Sequence, residues 1–185
     1  MAVERAVLGT PRRIHASLAA GLAMVGLLAA VLGAQEEPAD FGLSGAQHPE
    51  EGWLFGGQPT PEQLAAAGAA GYRVIDLRAP NENRGYDEAA AALERGIDYT
   101  SIPVDAQSLQ RDETYEAFFA ALDDERPLLA HCGSGNRVGG LYYAYLVARR
   151  GLPREQALEQ AKASGLRSDS LKGTIDQWLD QRGRP

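Results

Sequence analysis

The spacing of apolar and polar positions divides the 185-residue chain into three stretches. Leu18 to Ala34 is apolar and uncharged. Glu36 to Glu51 is polar, contains Gly and Pro and shows no period, which reads as a linker. From Trp53 onward, short apolar runs alternate with segments of helical spacing. Trp53-Leu-Phe55 opens this third stretch. Thr60-Pro61-Glu62-Gln63 has the form of a helix start, with Thr60 as N-cap, Pro61 in the first turn and Gln63 closing a capping box. The alanine-rich helix it opens is expected to stop near Gly71. Tyr72 to Leu77 reads as a strand, Ala79 to Arg84 as a loop, Asp87 to Arg95 as a second helix ending at Gly96, and Ile97 to Val104 as the next strand. Asp112 to Leu122 reads as a helix turning Phe118, Phe119 and Leu122 inward, and Pro127 to His131 as a strand. From Arg137 to Arg150, Leu141, Tyr142, Tyr145 and Leu146 recur at helical spacing, and two further helices near Pro153 to Ala163 and Ser168 to Gln181 complete the chain. Strands alternating with helices predict an α/β domain with one central, mixed but mostly parallel sheet of about four strands flanked by helices. Ligands of such sheets bind beyond the carboxyl ends of the strands.

The first stretch has the form of an export signal. Arg5, Arg12 and Arg13 precede the apolar run, and Gln35-Glu36-Glu37-Pro38 follows it. This pattern predicts a secretory signal peptide cleaved after Ala34, and hence residues 1–34 as signal, 35–51 as linker and 52–185 as the domain. Leu32, three residues before the cut, departs from the small residue preferred there. The alternative is an uncleaved anchor, because the 17 residues from Leu18 to Ala34 lie at the lower edge of what spans a bilayer. Arg12-Arg13 also has the dipeptide of twin-arginine export without the rest of that motif. Both readings place the domain outside the cytoplasm, in a periplasm or secreted, with membrane contact only through an uncleaved N-terminus.

Cleavage changes the electrostatic picture. It removes three arginines and Glu4, and the formal charge moves from −7 to −9. Such a chain is not expected to bind nucleic acid, and any anion must be attracted locally. The single cysteine, Cys132, has no partner for an internal disulfide, although exported proteins commonly use such bonds. It stands at the end of an apolar run and enters the glycine-rich segment Gly133-Ser-Gly-Asn-Arg-Val-Gly-Gly140, where a helical pattern begins. Backbone amides curled around such a loop, together with the N-terminus of the following helix, form an anion site and favour an ionised, nucleophilic sulphur. Arg137 adds a charged planar fork suited to two oxygens of an oxyanion. An inert buried thiol and a structural ion pair are the plainer readings of Cys132 and Arg137. A cation at a helix N-terminus, however, opposes the helix dipole unless an anion sits there.

His131-Cys132 with Gly135 and Arg137, preceded by Val74-Ile-Asp-Leu-Arg78 and Tyr99-Thr-Ser-Ile-Pro-Val-Asp105, resembles the dual-specificity branch of the cysteine-dependent protein tyrosine phosphatases. More narrowly, Gly56-Gly-Gln-Pro-Thr60 followed by the Cys132 loop is similar to a small bacterial phosphatase-like domain also found fused to beta-lactamase-like hydrolases. The likeness runs from about Trp53 to Trp178. It implies a dual-specificity-phosphatase-like fold, a phosphorylated protein or small phosphoester as partner, and no cofactor or metal. Cys132 would attack phosphorus while Gly133, Ser134, Gly135, Asn136, Arg137 and Val138 surround the oxyanion. Asp105 matches the acidic loop that protonates the leaving oxygen and then activates water, with Asp112 as a second candidate. The same Asp105 could serve only as a solvated loop carboxylate or helix cap. His131 is implied to orient the loop, a core histidine being the alternative. Ser134 and Asn136 are expected to shape the loop or bond the sulphur, and Asp76 with Arg78 to form an internal strand-end pair.

Two features depart from the phosphatase pattern. Four residues, Gly133 to Asn136, separate Cys132 from Arg137, where phosphatases of this kind have five. Four is the spacing of rhodanese-type sulfurtransferases, whose loop surrounds a persulfide sulphur. Val138 also stands where many phosphatases carry Ser or Thr. A sulfurtransferase using a Cys132 persulfide, with Asp105 dispensable, therefore stays open, as does a module that binds an oxyanion without turnover. A nucleotide P-loop is excluded because no Lys-Ser or Lys-Thr follows the glycines, and a dinucleotide fingerprint because Val138 replaces its third glycine. With three histidines in the chain, one of them His15 in the export segment, a histidine-based metal site is not expected.

Overall fold

The computed structural model describes residues 39–82 and 85–183. The expected export segment lies outside the described residues, and among those residues no helix is long and apolar enough to cross a membrane.

Four short strands, β1 (Trp53–Gly56), β2 (Arg73–Asp76), β3 (Tyr99–Ser101) and β4 (Leu128–His131), form one sheet in the order β1-β4-β2-β3. All three pairings are parallel, and an antiparallel bridge between Gln47 and Phe55 lies outside the named strands. Part of the segment read as a linker thus sits on the β1 edge, where Leu43 is buried with Leu54 and Leu64. β3 is shorter than the apolar run around it because Pro103 has no N–H to donate. The ladder still resumes on both sides of that proline, with Ile102 N donating to Asp76 O and Val104 N to Leu77 O.

Among the described residues, six α-helices complete the fold: α1 (Pro61–Ala69), α2 (Glu88–Glu94), α3 (Asp112–Leu122), α4 (Asn136–Ala148), α5 (Arg154–Ala163) and α6 (Asp169–Asp180). The capping box at α1 forms as its residues imply, Thr60 Oγ1 accepting from Gln63 N while Gln63 Oε1 accepts from Thr60 N. Alternation along the strands sends Leu54, Val74 and Leu129 to one face, against Leu64 and Ala67 of α1 and Ala92 of α2. Trp53, Phe55, Ile75, Leu128 and Ala130 pack on the other face with α3 and α4. A sheet covered on both faces needs such apolar runs.

Every side chain of α4 from Val138 to Val147 is buried, beyond the one-faced pattern its sequence suggests. The cause is a further layer, because α5 and α6 pack across the outside of α4. The approach is closest at Gly139, where a Cβ would come within 2.3 Å of Leu166 N and 2.8 Å of Gly165 C. Only glycine fits there, and the α5–α6 linker is consequently seated on the first turn of α4.

Candidate active site

β4 is the second strand of the order, flanked by β1 and β2, and its carboxyl end delivers the loop. Strand alternation aims Cys132 and His131 at opposite faces of the sheet, Cys132 toward α4 and His131 toward α2. Cys132 is 1% exposed, at the bottom of its loop. Gly135 is the N-cap of α4 and has φ 82°, a left-handed conformation that suits glycine and turns its N–H back onto the sulphur. That N–H donates to Cys132 Sγ at 3.1 Å. Neighbouring side chains of the loop point elsewhere. Asn136 Oδ1 accepts from Arg167 N at 2.7 Å and Ser168 N at 3.0 Å, Ser134 is exposed, and Val138 lies in the core. What Asn136 and Val138 can offer an anion is therefore their backbone, and the Asn136 side chain shapes the loop.

The Arg137 guanidinium has five N–H groups to place. Nη1 meets Leu77 O and Val104 O at 3.1 Å each and Glu82 Oε1 at 2.6 Å, which uses both of its hydrogens. Nη2 donates one hydrogen to Glu82 Oε2 at 2.5 Å. Nε–H and the second Nη2 hydrogen remain, side by side, as a bidentate edge for an oxyanion. Burial works against the arginine's charge, but the Glu82 hydrogen bonds and the adjacent Cys132 sulphur raise its pKa above the ordinary value. Glu82 thus fixes the fork from behind, and the remaining donors lie beside the Cys132 sulphur.

Asp105 directly follows Val104, whose carbonyl Arg137 holds, so its backbone reaches the rim of the site. Its carboxylate, however, caps its own turn. Oδ1 accepts from Gln107 N at 2.9 Å and Ser108 N at 2.7 Å, at the start of the 3-10 turn Ser108–Gln110. Those amides, Ser108 first, hold its pKa below the usual carboxylate range. Asp112 is committed elsewhere, accepting from Trp178 Nε1 at 2.9 Å and pairing with Arg182.

Behind the loop, on the α2 face, lies a closed charged cluster. Arg78 donates to both oxygens of Asp76 and to Glu88 Oε2 at 2.8 Å, and the Tyr99 hydroxyl donates to Asp76 Oδ2 at 2.8 Å. The expected Asp76–Arg78 pair is present, with Glu88 and Tyr99 added to it. His131 Nε2 lies 2.7 Å from Glu88 Oε1, close but not aligned as a hydrogen bond, and its Nδ1 lies 3.8 Å from Asp76 Oδ1. Ligand atoms of Asp76, Glu88 and His131 fall within 4.8 Å of one another. Arg78 nevertheless occupies both carboxylates, and a guanidinium among the donors opposes a metal cation, so the group functions as an ion-pair network.

A nucleophile-bearing loop at a strand end, a helix N-terminus aimed at it and an arginine fork beside the sulphur occur together in residues that match one sequence family. Residues 36–177 fit the family described as "DSP-PTPase phosphatase fused to NAD+ Kinase". The chain belongs to this family. It is a phosphatase-class enzyme with a dual-specificity, tyrosine-phosphatase-like domain. No curated protein matches it. Among solved structures, the DUF442 protein of Shewanella putrefaciens CN-32 is 24% identical with a TM-score of 0.58, over 76% of this chain and 94% of that one. Tk-PTP in its active form is 17% identical with a TM-score of 0.60, over 74% and 97%. Human DUSP28 is 14% identical with a TM-score of 0.56, over 80% and 97%. At these identities the likeness concerns the fold, and it agrees with the four-stranded α/β arrangement described above.

Glu82, Glu88 and Arg167 join the phosphatase site without having been marked by any local motif, and Tyr99, part of the segment that ends in Asp105, enters it through Asp76. Each reaches it from another segment of the chain, Glu82 from 55 residues before Arg137 and Arg167 from 33 residues after Ser134.

Proposed function

We propose that this phosphatase hydrolyses a phosphomonoester, on a phosphorylated protein or a small molecule, through a phosphocysteine. The observation that carries the reading is the Arg137 edge held by Glu82 beside a sulphur that receives the Gly135 N–H. In the first step Cys132 Sγ, as the thiolate, attacks phosphorus. The S–P bond forms, the P–O bond of the ester breaks, and the leaving oxygen takes a proton from Asp105. Arg137 and the loop amides hold the equatorial oxygens. In the second step water attacks phosphorus, Asp105 accepts its proton, the S–P bond breaks, and phosphate leaves with the thiolate restored. Asp105 must release the Gln107 and Ser108 amides to act as the acid, because those donors favour its ionised form.

Purified protein assayed on two aryl phosphates tests this reading. Cys132→Ser is expected to abolish turnover of both. Asp105→Asn is expected to lower kcat on phenyl phosphate, a poor leaving group, by about 10²-fold, and to lower it far less on 2,4-dinitrophenyl phosphate, which needs no acid. Equal losses on the two esters would remove Asp105 from the acid role.

The four-residue loop and the turn-bound Asp105 favour a second reading, sulphur transfer through a Cys132 persulfide. Thiosulfate with cyanide in the same assay distinguishes it. Thiocyanate formation that is lost in Cys132→Ser and retained in Asp105→Asn would establish that reading.

We further propose that residues 1–34 export the domain, on the strength of the basic start and apolar run. N-terminal sequencing of the protein from the extracytoplasmic fraction is expected to begin at Gln35. Recovery of the full-length chain from the cytoplasm would contradict export.

A further inference from the structure

Gly56, the last residue of β1, and Gly57 have no task in the reaction above, yet both stand directly behind the Cys132 loop. Gly56 O accepts from Cys132 N at 3.3 Å. Gly56 also touches the residue whose N–H reaches the sulphur, because a Cβ on Gly135 would lie 3.5 Å from Gly56 C. A Cβ on Gly57 would lie 3.5 Å from Gly133 O. The two glycines therefore form one wall of the loop, made of backbone alone.

The outer side of that wall is covered by residues whose lack of period reads as a linker. A Cβ on Gly56 would come within 2.5 Å of Leu43 Cδ2, a separation that requires Leu43 to move, and Gly57 N donates to Ser44 O at 2.8 Å. Leu43 is buried, and the segment that carries it is fastened at both ends. Gln63 Nε2 of α1 donates to Gly42 O at 2.6 Å, and Gln47 exchanges both backbone hydrogen bonds with Phe55, at 2.9 and 2.8 Å. Two successive glycines are more deformable than any other pair of residues, so their position depends on what presses on them. Leu43 and Ser44 press from one side, and the Cys132 loop from the other.

We infer that Leu43 is a positioning residue for Cys132: residues 40–47 brace Gly56 and Gly57 against the loop and so keep the Gly135 N–H on the sulphur. The inference rests on Cys132 as the nucleophile of the proposed phosphatase and adds a part of the chain on which its reactivity depends. Arg137 is held separately by Glu82, so a weaker brace lowers the reactivity of the sulphur and spares phosphate binding.

Alkylation of Cys132 by iodoacetamide reads the sulphur without turnover. In Leu43→Ala the rate at pH 7, taken as a fraction of its high-pH plateau, is expected to fall about 5- to 10-fold, because a weakened charge-assisted hydrogen bond disfavours the thiolate. The kcat for 2,4-dinitrophenyl phosphate, which needs no acid, is expected to fall by a similar factor with KM near native. Leu43→Met keeps the volume and is expected to retain most of both. Gly56→Ala presses on the same contact from the other side and is expected to show the same losses. Combined with Leu43→Ala it is expected to lose less than the product of the single effects, since the truncation vacates the space that the new Cβ needs. Ile97→Ala, a truncation in the same apolar cluster beside Gly68 of α1, controls for a general loss of stability. A native alkylation profile in Leu43→Ala, or in Gly56→Ala where the truncated protein does not fold, overturns the inference. The same profile change in Ile97→Ala at an equal drop in urea midpoint also overturns it. The expected alkylation change in a protein that releases no phosphate from either aryl ester would instead count against the phosphatase reading and leave the brace in place.

Discussion

Replacing Arg137 with lysine is expected to lower kcat/KM for phenyl phosphate by about 10²–10³-fold, the loss usual when a preorganised transition-state donor is removed. The magnitude follows from how the guanidinium is divided. Three groups of the protein, Leu77 O, Val104 O and the Glu82 carboxylate, hold one side of it, and the two remaining N–H groups form the oxyanion edge. A lysine has three hydrogens on one atom and cannot satisfy Glu82 and bridge two phosphoryl oxygens in the same plane. The charge is conserved, so a role limited to long-range attraction of the substrate would leave most of the activity. Steady-state kinetics on the variant decide between these outcomes. Retention of more than about a tenth of native kcat/KM would mean that fork geometry is not what the site uses.

The fold was readable wherever a local rule decides an element. Thr60 and Gln63 announce α1, the strand-helix alternation announces parallel pairing, and the Cys132–Arg137 loop is contiguous enough to declare its chemistry in a single stretch. Other features depend on segments meeting in space. The full burial of α4 is caused by α5 and α6, which no period within α4 records. Glu82 lies in a loop with no periodicity, and Glu88 has the form of an ordinary acidic residue in a helix first turn. Their roles come from Arg137 and from Arg78 with His131, which other elements bring to them. Asp105 shows both levels at once. The Ile102-Pro-Val run that it ends resembles the acidic loop of such phosphatases, while the local turn with Ser108 claims the carboxylate in this conformation.

Replacing Glu88 with alanine is expected to destabilise the domain by about 3–5 kcal/mol, read as a lower urea midpoint at neutral pH. The Glu88 side chain is fully buried, with one oxygen on Arg78 at 2.8 Å and the other beside His131 at 2.7 Å. Truncation leaves part of a buried guanidinium without its counter-charge and a buried imidazole without its polar neighbour, a larger penalty than loss of an exposed pair. Glu88→Gln keeps both contacts as dipoles and is expected to cost less. Adding Arg78→Met to Glu88→Ala also strips the buried Asp76 carboxylate of its guanidinium, so the double variant is expected to be less stable than Glu88→Ala alone. A Glu88→Ala protein with native stability would show that the cluster is not coupled. The acid limb supplies an independent check through Asp76. Burial opposes its ionisation, but the Arg78 hydrogen bonds, with His131 and Tyr99, hold its pKa below the ordinary carboxylate value. A depressed carboxylate contributes stability that is complete above the unfolded pKa of about 3.9 and disappears as pH falls through the folded value. The Asp76 contribution is therefore present at pH 7 and lost only below about pH 4. Because Cys132 directly follows His131, the last residue of β4, and faces the opposite side of the sheet, movement of the imidazole after truncation is expected to shift the backbone that aims the sulphur. The stability loss is thus expected to bring a fall in kcat at temperatures well below the melting midpoint.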